Sequence, residues 1–579
     1  MFSTQVIARS DFLTGAFPAE YGNAFSGVFD IHLRKGNSEK REYTLQAGFL
    51  GLDVAAEGPF KKDGRGGSFL FNYRYSTLGI LTSLGLLDDD ASDEHNVFQD
   101  LSFKMSFPTK KAGTFSLFGM GGLSAFEEGR SGEYEDRETY DMGVAGLSHE
   151  YPLSKNTYIR SYVSWSGTQL EDRFEYENVA PDIDLNHAEF SKSYVRAGTT
   201  LNRKIDARQM VEAGVVFSAL SYDFQETNTN TFNEDPYKQV TRFSDSGNSG
   251  SWQGFGNYKL QVTDKFHMIG GLHILHFNFA GETSVEPRAG LHWRFRENQE
   301  LSFGFGEHSK IESLEYYLGR FINPDGSGEQ LNKDLKMTKA RHFVLGYHRQ
   351  LTTDWSLKFE TYYQDLYHIP VVEDTRGEDI PLYPSYASIL FFDGYTTLPL
   401  VNRGSGTNYG VELTMEKRFS RDYFLLLTGA LYEAKYRGSD GVERDSRFNG
   451  NFNNTVLAGK EFHLGRNGKN NTIGINIRSS WSGNQRYTPI DIPSSVQAGS
   501  EVRLLEDVYT KSYPNYYRLD LQLSYRKNKP KHTSEWRLDI QNVTDRGNVL
   551  HDYYIPESQT VGFERQQGLI PVLSYRVQF

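Results

Sequence analysis

Gly568 to Phe579 reads GLIPVLSYRVQF. Leu569, Pro571, Leu573, Tyr575, Val577 and Phe579 fall on one parity, and Ile570, Val572, Ser574, Arg576 and Gln578 on the other. The second half alternates strictly between apolar and polar, and the chain stops on an aromatic ring. Such a strand needs hydrocarbon on one side and water on the other. In a soluble protein the apolar face is the core. In a transmembrane barrel it is the lipid face, and the polar face lines the lumen.

Composition favours the second case. Over 579 residues there are 55 Gly, 36 Tyr and 40 Phe, yet only 38% of residues are hydrophobic. Several soluble cores would require more Leu, Val and Ile. A mean hydropathy of -0.57 suits a barrel, because only one face of each strand meets lipid. No run approaches the ~18 apolar residues of a transmembrane helix. The longest apolar run, Tyr423–Tyr432 (YFLLLTGALY), has the length of one membrane strand. Cysteine is absent, which removes disulfides, thiol catalysis and Cys-ligated metals. The net charge of -12 argues against a nucleic-acid partner.

From about residue 42 onward, amphipathic runs alternate with two kinds of connection. Short polar ones, such as Lys61–Gly67, Thr109–Gly113, Leu153–Asn156, Arg421–Asp422 and Lys529–Ser534, read as hairpin turns. Longer ones rich in acid, Gly, Asn and aromatics include Glu127–Arg137, Asn228–Ser249, Ile311–Lys336, Asp374–Asn402 and Tyr487–Tyr513. Turns alternating with long loops predict an all-β, antiparallel transmembrane barrel of about 22 strands, turns on the periplasmic side. Strand phase agrees: Leu519, Leu521, Leu523 and Tyr525 oppose Arg518, Asp520, Gln522 and Ser524, while Val411, Leu413 and Met415 oppose Glu412, Thr414 and Glu416. Placing the charged side in the lumen avoids roughly 2–4 kcal/mol for each Arg at the midplane. Pro287 is the awkward position, since it removes a ladder hydrogen bond inside an expected strand. No blade-like repeat supports a propeller, and a sandwich does not need such regularly long strands.

Near the N-terminus, Gly15–Gly36 reads GAFPAEYGNAFSGVFDIHLRKG, a turn-rich entry followed by a strand. Gly22 and Gly27 permit tight backbone geometry. Ala19-Glu20-Tyr21-Gly22, then Ser26-Gly27-Val28-Phe29-Asp30-Ile31, then Arg34-Lys35-Gly36 resemble the end of the plug domain of TonB-dependent outer-membrane receptors. Ser26 and Asp30 replace the Gly and Asn of that family's commonest form. The Phe17–Asn23 wording is similar to receptors of Bacteroidetes-like bacteria. Asp539–Asp545 (DIQNVTD) resembles the family's penultimate-strand ending, and Phe579 matches the terminal aromatic that acts as its assembly signal. The resemblance implies residues 1–36 as the closing part of the plug, with Ala19, Tyr21, Gly22, Gly27 and Arg34 as its motif, and residues 37–579 as the outer-membrane barrel. It also implies that Met1 is an internal start or a truncation, with the signal peptide, TonB-contacting box and most of the plug upstream.

The loop around Pro381–Leu400 carries Tyr383, Tyr386, Phe391, Phe392 and Tyr395, which are candidates for stacking on a sugar ring or an aromatic siderophore. Glu312–Phe321 has helical spacing and adds Tyr316 and Tyr317. The plainer alternatives are a loop hydrophobic cluster or the upper aromatic girdle. The acids between Asp88 and Glu94 lack a calcium-loop order and read as a solvated loop. His267 and His273 share a face about 20 Å apart at strand rise, so no single metal joins them. Arg288, Arg294, Glu412, Glu416, Arg518 and Asp520 are expected in the lumen, hydrating a pathway or gripping the plug. No nucleophile triad, phosphate loop, zinc motif or cofactor site is evident, so an enzyme is not expected.

The resulting expectation is a TonB-dependent receptor that takes up a scarce nutrient, with lipid, TonB, the nutrient ligand (siderophore, glycan, peptide or cobalamin) and a surface lipoprotein as partners. A passive porin-like channel and a surface adhesion or assembly barrel are the alternatives.

Overall fold

The structure, a computed structural model, describes residues 3, 5–49, 51–61, 66–77, 95–130, 134–176, 184–230, 238–322, 327–373, 385–390, 398–465 and 470–579. Among the described residues, twenty-two antiparallel strands close into one barrel. Each strand pairs with its sequence neighbour, and the ring shuts where Ile570–Gln578 lies between Thr533–Gln541 and Glu42–Gly48. At that seam Tyr43 and Phe579 exchange two backbone hydrogen bonds of 2.8 and 3.0 Å, and their rings lie 5.6 Å apart. The terminal alternation is observed: Leu573 is 50% exposed on the outer wall, whereas Val572 is 8% exposed.

The outer wall carries a belt of exposed apolar side chains that includes Leu45, Val163, Val215, Trp293, Leu345, Leu413 and Trp481. A soluble protein does not leave so many large apolar groups uncovered. The belt needs hydrocarbon around it.

Local chemistry sets the turns. Thr109 closes its turn twice, accepting the Ala112 N–H at 2.9 Å and donating through its hydroxyl to the Gly113 carbonyl at 2.8 Å. Gly113 has φ +74°, and a Cβ there would come within 2.1 Å of the Glu150 carbonyl oxygen, so only glycine fits. Arg421 and Asp422 both take positive φ, 51° and 66°, which gives a two-residue turn the twist its strands need.

At the opposite end the strands outrun the membrane. Gln209–Asn230 has 22 residues and Lys238–Thr263 has 26, against the ~9–11 that span a bilayer. This corrects the loop expectations for Glu127–Arg137 and Asn228–Ser249: much of both stretches is strand. The ladder continues because its inner face is buried by side chains from a returning loop. Phe190, Phe224, Phe243 and Phe277 pack there with Leu314, Tyr317 and Leu318 of a one-turn helix, Leu314–Leu318.

Pro287 lies within the strand Glu282–Arg296, opposite Leu272. The pairing of this strand with Gln299–Lys310 runs only as far as Arg288 opposite Gly306. The missing N–H thus coincides with the point where one ladder ends.

Leu413 faces lipid and Thr414 the other way. Leu413→Arg should lower stability in lipid vesicles by about 2–4 kcal/mol, and Thr414→Arg by less than about 1 kcal/mol. Denaturant titration of both variants checks the assigned phase; equal losses would contradict it.

Candidate functional site

The N-terminal segment enters the barrel as a hairpin. Ile7–Thr14 pairs with Gly27–Leu33, and the turn between them projects against the wall. Phe17 and Ala19 are 2% and 0% exposed. Four neighbouring strands converge on this turn with polar side chains.

Arg288 is the centre of the contact. Its Nη1 donates to the backbone carbonyls of Phe17, Pro18 and Tyr21 at 3.3, 2.6 and 2.6 Å. Its guanidinium lies 4.9 Å from the centroid of the Phe17 ring. Its Nη2 donates to Glu286 at 2.7 Å, and the other Glu286 oxygen accepts from the Ser309 hydroxyl. A buried cation is tolerable only when paired and hydrogen-bonded. Here one acid and three carbonyls take up both terminal nitrogens, while the buried Nε has no hydrogen-bond partner.

Other contacts repeat the pattern. Asn257 accepts the Ala19 N–H at 3.2 Å and donates to Glu212 at 3.3 Å. His273 Nδ1 donates to the Ala19 carbonyl at 2.8 Å, which places the ring proton on Nδ1. Phe17 packs on His308 at 4.1 Å between centroids, and His308 on His342 at 4.7 Å. Lys104 donates to the Leu33 carbonyl at 2.8 Å. The wall therefore holds this segment largely through its backbone.

A second tie lies where the segment joins the first barrel strands. Arg34 pairs with Glu57 at 2.6 Å, and the same carboxylate oxygen accepts the Asn37 N–H at 2.8 Å. Asp53 collects Ser3, Gln5 and Asn72 at 3.2, 3.0 and 2.6 Å.

Within the turn, burial and the nearby Glu212 carboxylate push the Glu20 carboxyl up to about 7, against the opposing pull of Lys259. Burial, with the hydrogen bond to Asp30 at 2.8 Å, pushes the Tyr21 phenol up. A Cβ on Gly22 would lie 2.1 Å from His273 Nε2 and 2.6 Å from Gln253 Oε1, so no side chain fits at that position.

The family model described as "TonB dependent receptor-like, beta-barrel" matches residues 60–543. The chain belongs to this family. It is a bacterial outer-membrane protein. Solved structures with the same fold include the outer membrane transporter YddB from Escherichia coli, with TM-score 0.71, 11% identity and coverage of 100% of this chain and 85% of that one. They also include BauA, the ferric preacinetobactin receptor from Acinetobacter baumannii (0.68, 12%, 100% and 86%), and Fiu, the ferric-catecholate import receptor of E. coli K12 (0.67, 12%, 98% and 85%). At these identities the likeness establishes the fold alone. No curated protein sequence matches the chain.

In this TonB-dependent receptor the six charged residues expected in the lumen are spread out. Arg288 grips the turn. Arg294 lies 4.0 Å from Glu300 at the turn end. Glu412 lines a cavity of about 570 Å³ beside Thr14, Gly15, Phe25 and Ser26. Arg518 pairs with Asp520 at 2.6 Å and reaches Gln541 at 2.9 Å. Glu416 is exposed on the same strand as Glu412.

Of the aromatic ligand candidates, Tyr383, Phe391, Phe392 and Tyr395 lie outside the described residues, as do the acids of Asp88–Glu94. Tyr316 and Tyr317 are 4% and 0% exposed. Tyr386 donates its hydroxyl to that of Tyr316 at 3.2 Å. This corrects the expectation for Tyr316 and Tyr317: in this structure they are core of the folded loop, with no face open to a ligand. Beside them Glu312 is half-buried, and desolvation raises its carboxyl despite the hydrogen bond from Thr338.

His308, His342, Asn257 and Glu286 were not foreseen as contacts. Their only sequence signal is that they fall on the inward parity of their strands.

Arg288→Met should strand Glu286 in a buried site, at a cost of about 3–5 kcal/mol, and free residues 15–22. Hydrogen exchange of that segment should rise sharply while the barrel strands stay protected. Glu20 supplies a pH test. Its folded-state carboxyl is raised, so its contribution is complete below the ordinary Glu range near 4.5 and fades as pH rises through about 7. Docking of the turn should therefore weaken from pH 5 to pH 8 in the wild type, and Glu20→Gln should flatten that profile. Gly22→Ala should loosen the same segment at every pH, as read by limited proteolysis.

Proposed function

We propose that this receptor actively imports a scarce nutrient across the outer membrane, and that residues 1–36 are the closing part of its plug and residues 37–579 its barrel. The observation that carries the reading is the hold of Arg288, His273 and Asn257 on the backbone of Phe17–Tyr21. A permanently open pore has no need of a segment tied into its lumen by so many buried polar contacts. A gate does, provided its ties are individually modest and can be exchanged for water.

In this reading TonB, energised from the inner membrane, pulls on the plug. The Arg288 contacts yield, and the ligand passes. No bond in the ligand is broken, so the process is transport and not catalysis. The ligand class includes siderophores, as Fiu is a ferric-catecholate and BauA a ferric preacinetobactin receptor; glycans and peptides stand beside them.

The test is nutrient accumulation in whole cells. Deleting the gene should abolish accumulation above the external level, and so should collapsing the proton gradient with the gene intact. Uptake that persists after the gradient is lost would favour the porin-like alternative.

A further inference from the structure

Two inner cavities lie on the wall away from Arg288. One, of about 460 Å³, is lined by residues of five consecutive strands. The other, of about 310 Å³, lies against Asn23 of the N-terminal segment. Lys192, Tyr194 and Arg196 line both, so one short stretch of strand forms their common wall.

The charge balance of that wall is one-sided. Arg196 donates to the Ser166 hydroxyl at 2.7 Å and lies 4.1 Å from the Tyr194 ring centroid. It pairs with no carboxylate among the described residues. Lys310, on the smaller cavity, also has no ion-pair partner there, and its ammonium sits 5.7 Å from the Phe25 ring centroid. The acids nearby are otherwise engaged. Asp100 is held by Arg74 at 2.6 and 3.1 Å. Glu315 is taken by Lys192 at 2.6 Å. Glu312 is half-buried and accepts from Thr338, and desolvation raises its carboxyl against the opposing pull of Thr338 and Lys310.

A guanidinium in a confined site, with only a hydroxyl and a ring as partners, keeps unused donors in a planar fork suited to a carboxylate or phosphate. The body of the ligand is constrained as well. Met120, Met142 and Val144 supply an apolar side to the larger cavity, and Gly122 and Gly143 leave room against the backbone.

We propose that this pair of cavities binds the imported nutrient as an organic anion, its carboxylate or phosphate on Arg196 and its apolar body on Met120 and Met142. The proposal rests on the uptake reading above and names the chemical class of its ligand. It also supplies a contact to the gate. A ligand in the smaller cavity touches Asn23, whose side-chain oxygen accepts the Ile311 N–H at 2.7 Å, and it competes with Phe25 for Lys310.

The test uses the full chain in lipid nanodiscs and two probes of nearly equal shape, 4-fluorobenzoate and neutral 4-fluorobenzamide, titrated by fluorine NMR. The wild type should bind the benzoate at least tenfold more tightly than the amide. Arg196→Gln should remove that preference while leaving amide binding unchanged, and Arg196→Lys should keep most of it. Equal affinity for the two probes, or absence of saturable benzoate binding, would overturn the proposal from the wild type alone, even if Arg196→Gln failed to fold. Benzoate affinity unchanged in a folded Arg196→Gln variant would overturn it too. None of these failures touches the whole-cell accumulation assay, whose own failure would remove the uptake reading instead.

Discussion

A β-strand in hydrocarbon must give every backbone N–H and C=O to a neighbouring strand, because no water is present to take an unpaired one. That requirement governs this structure from end to end. It forces the last strand to meet the first, and here the seam is made by Tyr43 and Phe579 with reciprocal backbone hydrogen bonds. It also fixes which parity faces lipid. Once Leu573 points outward, register through the neighbouring strands carries the assignment around the ring, and a slip of one residue would turn Arg518 and Asp520 into the bilayer.

Closure creates a lumen, and inward parity fills it with groups that lipid would reject. The polar interior then serves a second purpose. Arg288, His273, Asn257 and Lys104 bond mainly backbone atoms of the N-terminal segment. A grip on the main chain depends on the path of the turn more than on its side chains. The exceptions are steric. Gly22 faces His273 with no space for a Cβ, and Phe17 fills the gap beside Arg288 and His308.

The fold was legible because its signal is repeated in every strand. Alternating parity, turn chemistry such as Thr109–Gly113, and the motif at Ala19–Gly22 all act over a few residues, and each can be read locally. The clamp is different. Arg288 and Ala19 are distant in sequence, and which inward residue meets which turn depends on strand tilt and on how far the hairpin enters. Parity placed Arg288 in the lumen but did not distinguish it from Arg294, which ends beside Glu300. The aromatic loop misled for a related reason. Tyr316 and Tyr317 have the composition of a ligand face, and the extended strands Gln209–Asn230 and Lys238–Thr263 instead give them Phe224 and Phe243 to pack against.

Pro287 joins the two requirements. It interrupts the ladder at a level where the backbone of Glu307–Lys310 is no longer paired with its predecessor strand. Across that interruption Glu286 accepts from Ser309 and from Arg288, so side chains bridge what the main chain leaves open. The same carboxylate that closes the wall orients the guanidinium that holds the turn. A force on Phe17–Tyr21 is thereby transmitted through Arg288 to Glu286 and into a stretch of wall whose ladder is already incomplete. In a continuous ladder such a load would be shared among many cooperative hydrogen bonds. Here it falls on a few side-chain bonds, each of which can be exchanged for water singly, and this makes the contact suited to repeated release and re-formation.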